Sequence, residues 1–579
     1  MTASVVVVVE EQKGQIGEEV RDSIALLPPP SSPSQQQPLW QQRAYKKRKQ
    51  RDLQIRKWCL ETHGRPSPSP CSSSPSNSSR NVKDWPLHSG DLTSRQVEIT
   101  ETLPSVLLGR LASGAWSAEE VLRAFISRTV VAHHLTNPLA EPFFVRGLAR
   151  ARELDEHLRA TNEPVGRLHG LPMSLKDALH VKGLPTTVGA VALVDRVLEE
   201  SDDLVDRLEK AGAVFYCKTN VPQFLMSGEC VNYIYGCTST PFNRSLSAGG
   251  SSGGEGSLIA LGGSPLGIGT DIAGSIRTPA NFNGIYGLCP SVGRFPCHSS
   301  KYSHPNLVID GVAGPLSRSV DGLEVYTRAI LDLKPWEWDS TCVEMLWNEE
   351  AYVTAANKTC CIGMIQNDGV MTPHPPIQRA MGEVKQALLD AGHEVVEVPF
   401  FDGTEKFWEL ATKLFCATGD QEMRELVRAS SEPFIQGLMV GGPEDVLSLP
   451  EYLALARRIR QLRQTFLERW QATVTHTSGG KPVDVFILPS GAHVAPPHGT
   501  MEYFLYEAIS NILDWTCATI PVGKVDPDLD PKVAGPLLKP LSVGDVDNWT
   551  KSWSPMYPFS SLVFQSYLRS IPFVLVTPR

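Results

Sequence analysis

Two glycine-dense blocks, residues 249–256 and 269–277, most constrain what this chain can fold into. The first reads Gly249-Gly250-Ser251-Ser252-Gly253-Gly254-Glu255-Gly256. The second reads Gly269-Thr270-Asp271-Ile272-Ala273-Gly274-Ser275-Ile276-Arg277. Glycine is used where backbone must approach something closely or take a left-handed φ. Ile259, Leu261 and Leu266 lie between the blocks, so the glycines punctuate packed structure rather than a flexible linker. Turns of this kind expose backbone N–H groups that can hold an anion. A serine hydroxyl beside such N–H groups is the chemistry of acyl transfer, a nucleophile with an oxyanion hole. Ser251 and Ser275 are the two serines so placed.

Composition narrows the partners. The chain has 579 residues, 41% of them hydrophobic, enough for a large core. A net charge of −9 argues against a general nucleic-acid-binding role. Twelve cysteines are scattered with no C-x-x-C pair, which reads as reduced thiols in the cytoplasm. The Val5–Val9 run lacks a basic flank and a cleavage site, and no apolar run approaches the roughly 20 residues that span a bilayer.

Along the chain, residues 1–37 read as a disordered low-complexity extension rich in Pro, Ser and Gln. Residues 38–63 read as a basic helix, solvated and packed by its aromatics, and 64–82 as a Ser/Pro-rich linker. Residues 1 to about 82 are thus expected to be dispensable for catalysis. The main domain, 83–579, alternates helices with short apolar strands. Ser117 before Ala118-Glu119-Glu120 reads as a helix N-cap. Leu171–Leu175 reads as a strand ending at Lys176, followed by strands at 213–217, 266–269, 395–398 and 485–488. This alternation predicts an α/β fold, with a mixed, largely parallel central sheet covered by helices on both faces.

Several catalytic readings are open at this point. Gly249-Gly250-Ser251-Ser252-Gly253 satisfies G-x-S-x-G, but the residues before it read as loop, not as the strand a nucleophile elbow needs. No lysine follows the glycines as a phosphate loop requires. G-x-G-x-x-G fails at Ile272. His169, His180, His298 and His304 are candidate bases, none with a readable acidic partner. Lys176 is another, because a buried lysine loses its proton near neutral pH.

Ser174-Leu175-Lys176-Asp177 and the two glycine blocks resemble the amidase signature family. So do Cys217-Lys218-Thr219-Asn220-Val221-Pro222 and Gly314-Pro315-Leu316-Ser317-Arg318-Ser319. The resemblance spans roughly residues 97–525. Asn367-Asp368-Gly369-Val370 and Pro373-His374-Pro375-Pro376 look most like its fungal acetamidase branch, with fatty acid amide hydrolases more distant.

The resemblance implies an amidase with a Ser–Ser–Lys triad. Ser275 would be the nucleophile. Ser251, joined to Gly250 by a cis peptide, would bridge to the base Lys176. Backbone N–H groups of Ile272, Ala273, Gly274 and Ser275 would form the oxyanion hole. Ser252 and Asp271 would orient the site, and Arg277 would support its turn. The expected partner is a small amide substrate, with no metal, no cofactor, no nucleic acid and no transmembrane segment; a homodimer stays open. Residues of about 325–480 would shape the acyl pocket, with Trp336, Trp338, Trp347, Phe407 and Trp408 serving the core. The family pattern lapses from about residue 545, where Ser552–Phe559 replaces a closing strand and helix and Phe573–Val576 is a short β-prone run. An amidase-like protein of little activity and an amidotransferase subunit are the alternative functions.

Overall fold

Lys176 ends a strand, Pro172–Lys176, whose five residues are all buried. That burial follows from its place at the centre of a seven-stranded sheet. The computed structural model that provides this view describes residues 37–64, 67, 80–297, 308–399, 405–501, 503–526 and 528–530. In the sheet, Pro172–Lys176 lies between Val214–Thr219 and Leu266–Asp271 and pairs in parallel with both. Leu139–Pro142 adds antiparallel to Val214–Thr219 at one edge. On the other side Leu266–Asp271 pairs antiparallel with Val312–Ser317, which pairs with Tyr286–Cys289, and that with Cys517–Thr519. The α/β class with a mixed sheet is thus what the chain adopts.

Helices pack on this sheet. Helix Ala118–Thr136, capped by the Ser117 side chain on the Glu120 N–H, lies against helix Phe144–Thr161. Helix Gly253–Ala260 starts within the first glycine block and is buried along its whole length. Three glycines give it poor intrinsic propensity, so tertiary packing holds it. Gly267 shows how closely it packs: a Cβ there would sit 1.9 Å from the Glu255 carboxylate.

The strands foreseen near 395–398 and 485–488 belong elsewhere. Glu394–Glu397, Cys361–Met364 and Val485–Ile487 form a separate three-stranded parallel sheet. Its own core holds Ile362, Met364, Phe466, Trp470 and Phe486, and also takes in Phe407. Alternation along the chain identifies strands but does not say which sheet they join.

The basic segment is helix Leu39–His63, ended by Gly64 at φ 65°. It is more than a solvated helix. Ile55, Trp58 and Cys59 enter the largest core cluster. Lys47 forms a buried ion pair with Glu141 on the sheet's edge strand, and Arg51 donates to the Leu139 carbonyl at 2.9 Å. Residues 39–63 therefore contribute side chains to the core, which the expectation that residues 1 to about 82 are dispensable for catalysis did not include. Nearly all of 1–37, most of 64–82, and the region from 531 that includes Ser552–Phe559 and Phe573–Val576 lie outside the described residues. No helix among the described residues is long and apolar enough to cross a membrane.

Candidate active site

Sheet pairing brings Lys176 beside the second glycine block, and the first block closes over both. The Lys176 ammonium is fully buried. Its Nζ donates to Ser251 Oγ at 2.7 Å, to Thr270 Oγ1 at 2.7 Å and to the Thr270 carbonyl at 3.0 Å. Burial pushes its pKa down to about 7, against the opposing pull of the Asp271 carboxylate. The Gly250–Ser251 peptide is cis. The Ser252 N–H donates to the Ser275 carbonyl at 3.1 Å, which ties the two serine-bearing turns together. The Ser252 hydroxyl reaches the Thr270 carbonyl at 3.4 Å.

Asp271 organises the second turn. Its carboxylate accepts from the N–H groups of Gly274 at 2.8 Å and Ile276 at 2.9 Å, and from Arg277 at 3.0 and 3.1 Å. Burial would raise the Asp271 carboxyl, but Arg277 and the backbone donors outweigh it and hold the group below the usual carboxylate range. Gly274 takes φ 107°, a conformation only glycine adopts without strain. Its N–H, one of the four expected to hold an anion, is instead committed to Asp271. Ile272, Ala273 and Ser275 are half-buried and line a cavity of about 60 Å³. Leu225, Met226, Phe415, Met439 and Phe504 complete its apolar wall. Of the 325–480 segment, then, Phe415 and Met439 face the cavity, while Phe407 serves the core as expected and Trp347 stacks against Arg328.

Other groups had no assigned role in the sequence. Thr270 fixes the lysine with two oxygens. Glu255 is buried and accepts from Ser174 Oγ at 2.6 Å and Thr219 Oγ1 at 2.8 Å; burial raises its pKa to about 7. Both lie inside the glycine blocks, which was the one available signal. Arg277 donates to the Glu507 carbonyl and to Asn511 Oδ1, each at 2.6 Å. Nothing near residue 507 in the sequence points to residue 277. Of the histidine candidates, His169 accepts from the Val165 N–H and His180 contacts Thr186, so neither is bonded to a glycine-block serine. His298 and His304 lie outside the described residues.

The chain as a whole has known relatives. A family model described as Amidase matches residues 120–535. The chain belongs to the amidase family. As a member it is a hydrolase of amide bonds. Among its relatives, an acetamidase of Emericella nidulans is 38% identical over 465 residues, covering 78% of this chain and 83% of that protein. An acetamidase of Aspergillus oryzae is 37% identical over 461 residues, covering 78% and 84%. A solved structure described as fatty acid amide hydrolase superposes with a TM-score of 0.77 at 30% identity, covering 85% of this chain and 86% of that one.

Proposed function

We propose that this amidase-family chain converts small carboxylic amides to carboxylate and ammonia or amine through an acyl-enzyme on Ser275. The observation that carries this reading is the buried 2.7 Å contact from Lys176 Nζ to Ser251 Oγ, at the rim of the turn that bears Ser275. A lysine with a pKa of about 7 is neutral in about half of the molecules at pH 7. In that form it takes the Ser251 proton while Ser251 takes the proton of Ser275. The Ser275 Oγ then bonds to the amide carbon. Negative charge gathers on the carbonyl oxygen, facing the N–H groups of Ile272, Ala273 and Ser275. Collapse breaks the C–N bond, and the leaving nitrogen takes a proton from Ser251, replenished by Lys176. Water then attacks the ester along the same proton route.

Two observations support a small acyl group. The cavity beside Ser275 has room for a handful of water-sized groups. The two fungal relatives are both described as acetamidases. Aliphatic or aryl monocarboxylic amides of short length are the proposed substrates. The test is a fluorophosphonate probe followed by peptide mass mapping. One adduct on Ser275, absent from Ser275→Ala, is expected. An adduct on Ser251 instead would overturn the assignment.

A further inference from the structure

Glu229, Cys237 and His498 come together outside the Lys176–Ser251–Ser275 cluster, from three separate segments. His498 Nδ1 lies 2.5 Å from Glu229 Oε1 and 3.1 Å from Cys237 Sγ, and Sγ lies 3.8 Å from the same carboxylate oxygen. The other ring nitrogen, Nε2, lies 3.2 Å from Ser239 Oγ. The second carboxylate oxygen, Glu229 Oε2, accepts from the Gly499 N–H at 2.6 Å.

This is not a nucleophile relay. A relay places the nucleophile on one imidazole nitrogen and the acid on the other. Here thiol and carboxylate both crowd Nδ1, while a hydroxyl faces Nε2. The proton shared between Nδ1 and Glu229 must leave first; with Nε2–H donating to Ser239, Nδ1 then presents a lone pair. Three electron-pair donors, one nitrogen, one oxygen and one sulfur, then lie within 4.8 Å of one another. That is the donor set of a tetrahedral, thiophilic divalent cation, and the outer oxygen on Nε2 is the support that metal-bound histidines use.

We infer that Glu229, Cys237 and His498 bind a zinc-class divalent cation, with water as fourth ligand. Zinc bonds of about 2.0–2.3 Å at tetrahedral angles set the three donors about 3.3–3.7 Å apart. Nδ1 must therefore move back by less than about 1 Å from the carboxylate, within the reach of small side-chain rotations. Binding expels two protons to solvent, that of the Cys237 thiol and the one shared between His498 Nδ1 and Glu229. Glu229 is buried while Cys237 and His498 are half-buried, which gives the ion a path in. Such a cation would fasten three segments beside the cavity: Ser227–Glu229, the Gly236–Cys237 strand, and the loop running from His498 towards Phe504.

The untagged full chain is stripped with a chelator, incubated with zinc chloride and desalted, and its zinc content is measured. About one zinc per chain is expected, falling more than tenfold in both Cys237→Ser and Glu229→Gln. No retained zinc, or equal retention by both variants, overturns the inference. Cobalt(II) on the unaltered chain gives a second reading that does not depend on the variants folding. A near-ultraviolet thiolate-to-cobalt band is expected, and retained cobalt without that band overturns the site.

Discussion

Burial holds the Lys176 amine at a pKa of about 7, against 10.5 for an exposed lysine, and this sets the working range of the proposed base. The expected pH profile of kcat/KM rises with a midpoint near 7 and is flat above it, read from initial rates on a short aliphatic amide. Lys176→Ala should lower kcat by about 10³-fold or more at pH 7, and by less at alkaline pH where hydroxide substitutes. Near-normal kcat in that variant would remove the base from the mechanism. Glu507 behaves in the opposite sense. Both its carboxylate oxygens are buried without a hydrogen-bond partner, and burial raises its pKa to about 8. Between the ordinary value of 4.5 and that of about 8, the folded chain keeps a proton that the unfolded chain has lost. Stability from this group is therefore present at low pH and lost as pH rises through the window. Glu507→Gln has no such proton, so its Tm should fall less than that of the unaltered chain from pH 5 to pH 8. Parallel curves would place the proton elsewhere. Ser251 and Ser275 were legible in the sequence because local glycine chemistry marks them. The buried carboxyl of Glu507 was not, because nothing in an apolar helix says which turn faces a distant core.

Helix Leu39–His63 carries its basic residues for more than solvation. Lys47 is buried against Glu141, and removing one partner of a buried pair costs on the order of 3–5 kcal/mol. Lys47→Met should thus lower the denaturation midpoint clearly, while a chain starting at residue 37 keeps the midpoint of the full chain. A chain starting at residue 64 should lose both stability and activity, and if it keeps both, the helix is an appendage. The helix and its packing through aromatics such as Trp58 were legible in the sequence, but its buried ion pair was not. A run such as Lys46-Lys47-Arg48-Lys49 carries no mark of which lysine meets a carboxylate 94 residues away. The second sheet was missed for a related reason. Short apolar strands look alike, and pairing partners are fixed by three-dimensional contacts that a one-dimensional pattern does not contain.

Across the whole molecule, the cavity is built from distant stretches of chain. Met226 comes from near the first glycine block, Phe415 and Met439 from between the second sheet's strands Glu394–Glu397 and Val485–Ile487, and Phe504 from the approach to helix Leu505–Leu513. Phe504 packs so closely on Gly228 that a Cβ there would lie 2.1 Å from its ring. Phe504→Ala should open the acyl end. The ratio of kcat/KM for hexanamide over acetamide should then rise by roughly tenfold or more. An unchanged ratio would place the acyl group elsewhere. The turn bearing Ser275 spans the same distance. Asp271 fixes it at the end of a central strand, and Arg277 fixes it to the Glu507 carbonyl and Asn511 on that late helix. A ribosome will have made Lys176, Ser251 and Ser275 more than two hundred residues before it makes the partners that set the Ser275 turn. During synthesis the turn bearing the proposed nucleophile therefore waits for its fasteners on helix Leu505–Leu513. On the proposed mechanism, Ser275 is held for attack on an amide only once helix Leu505–Leu513 docks against its turn.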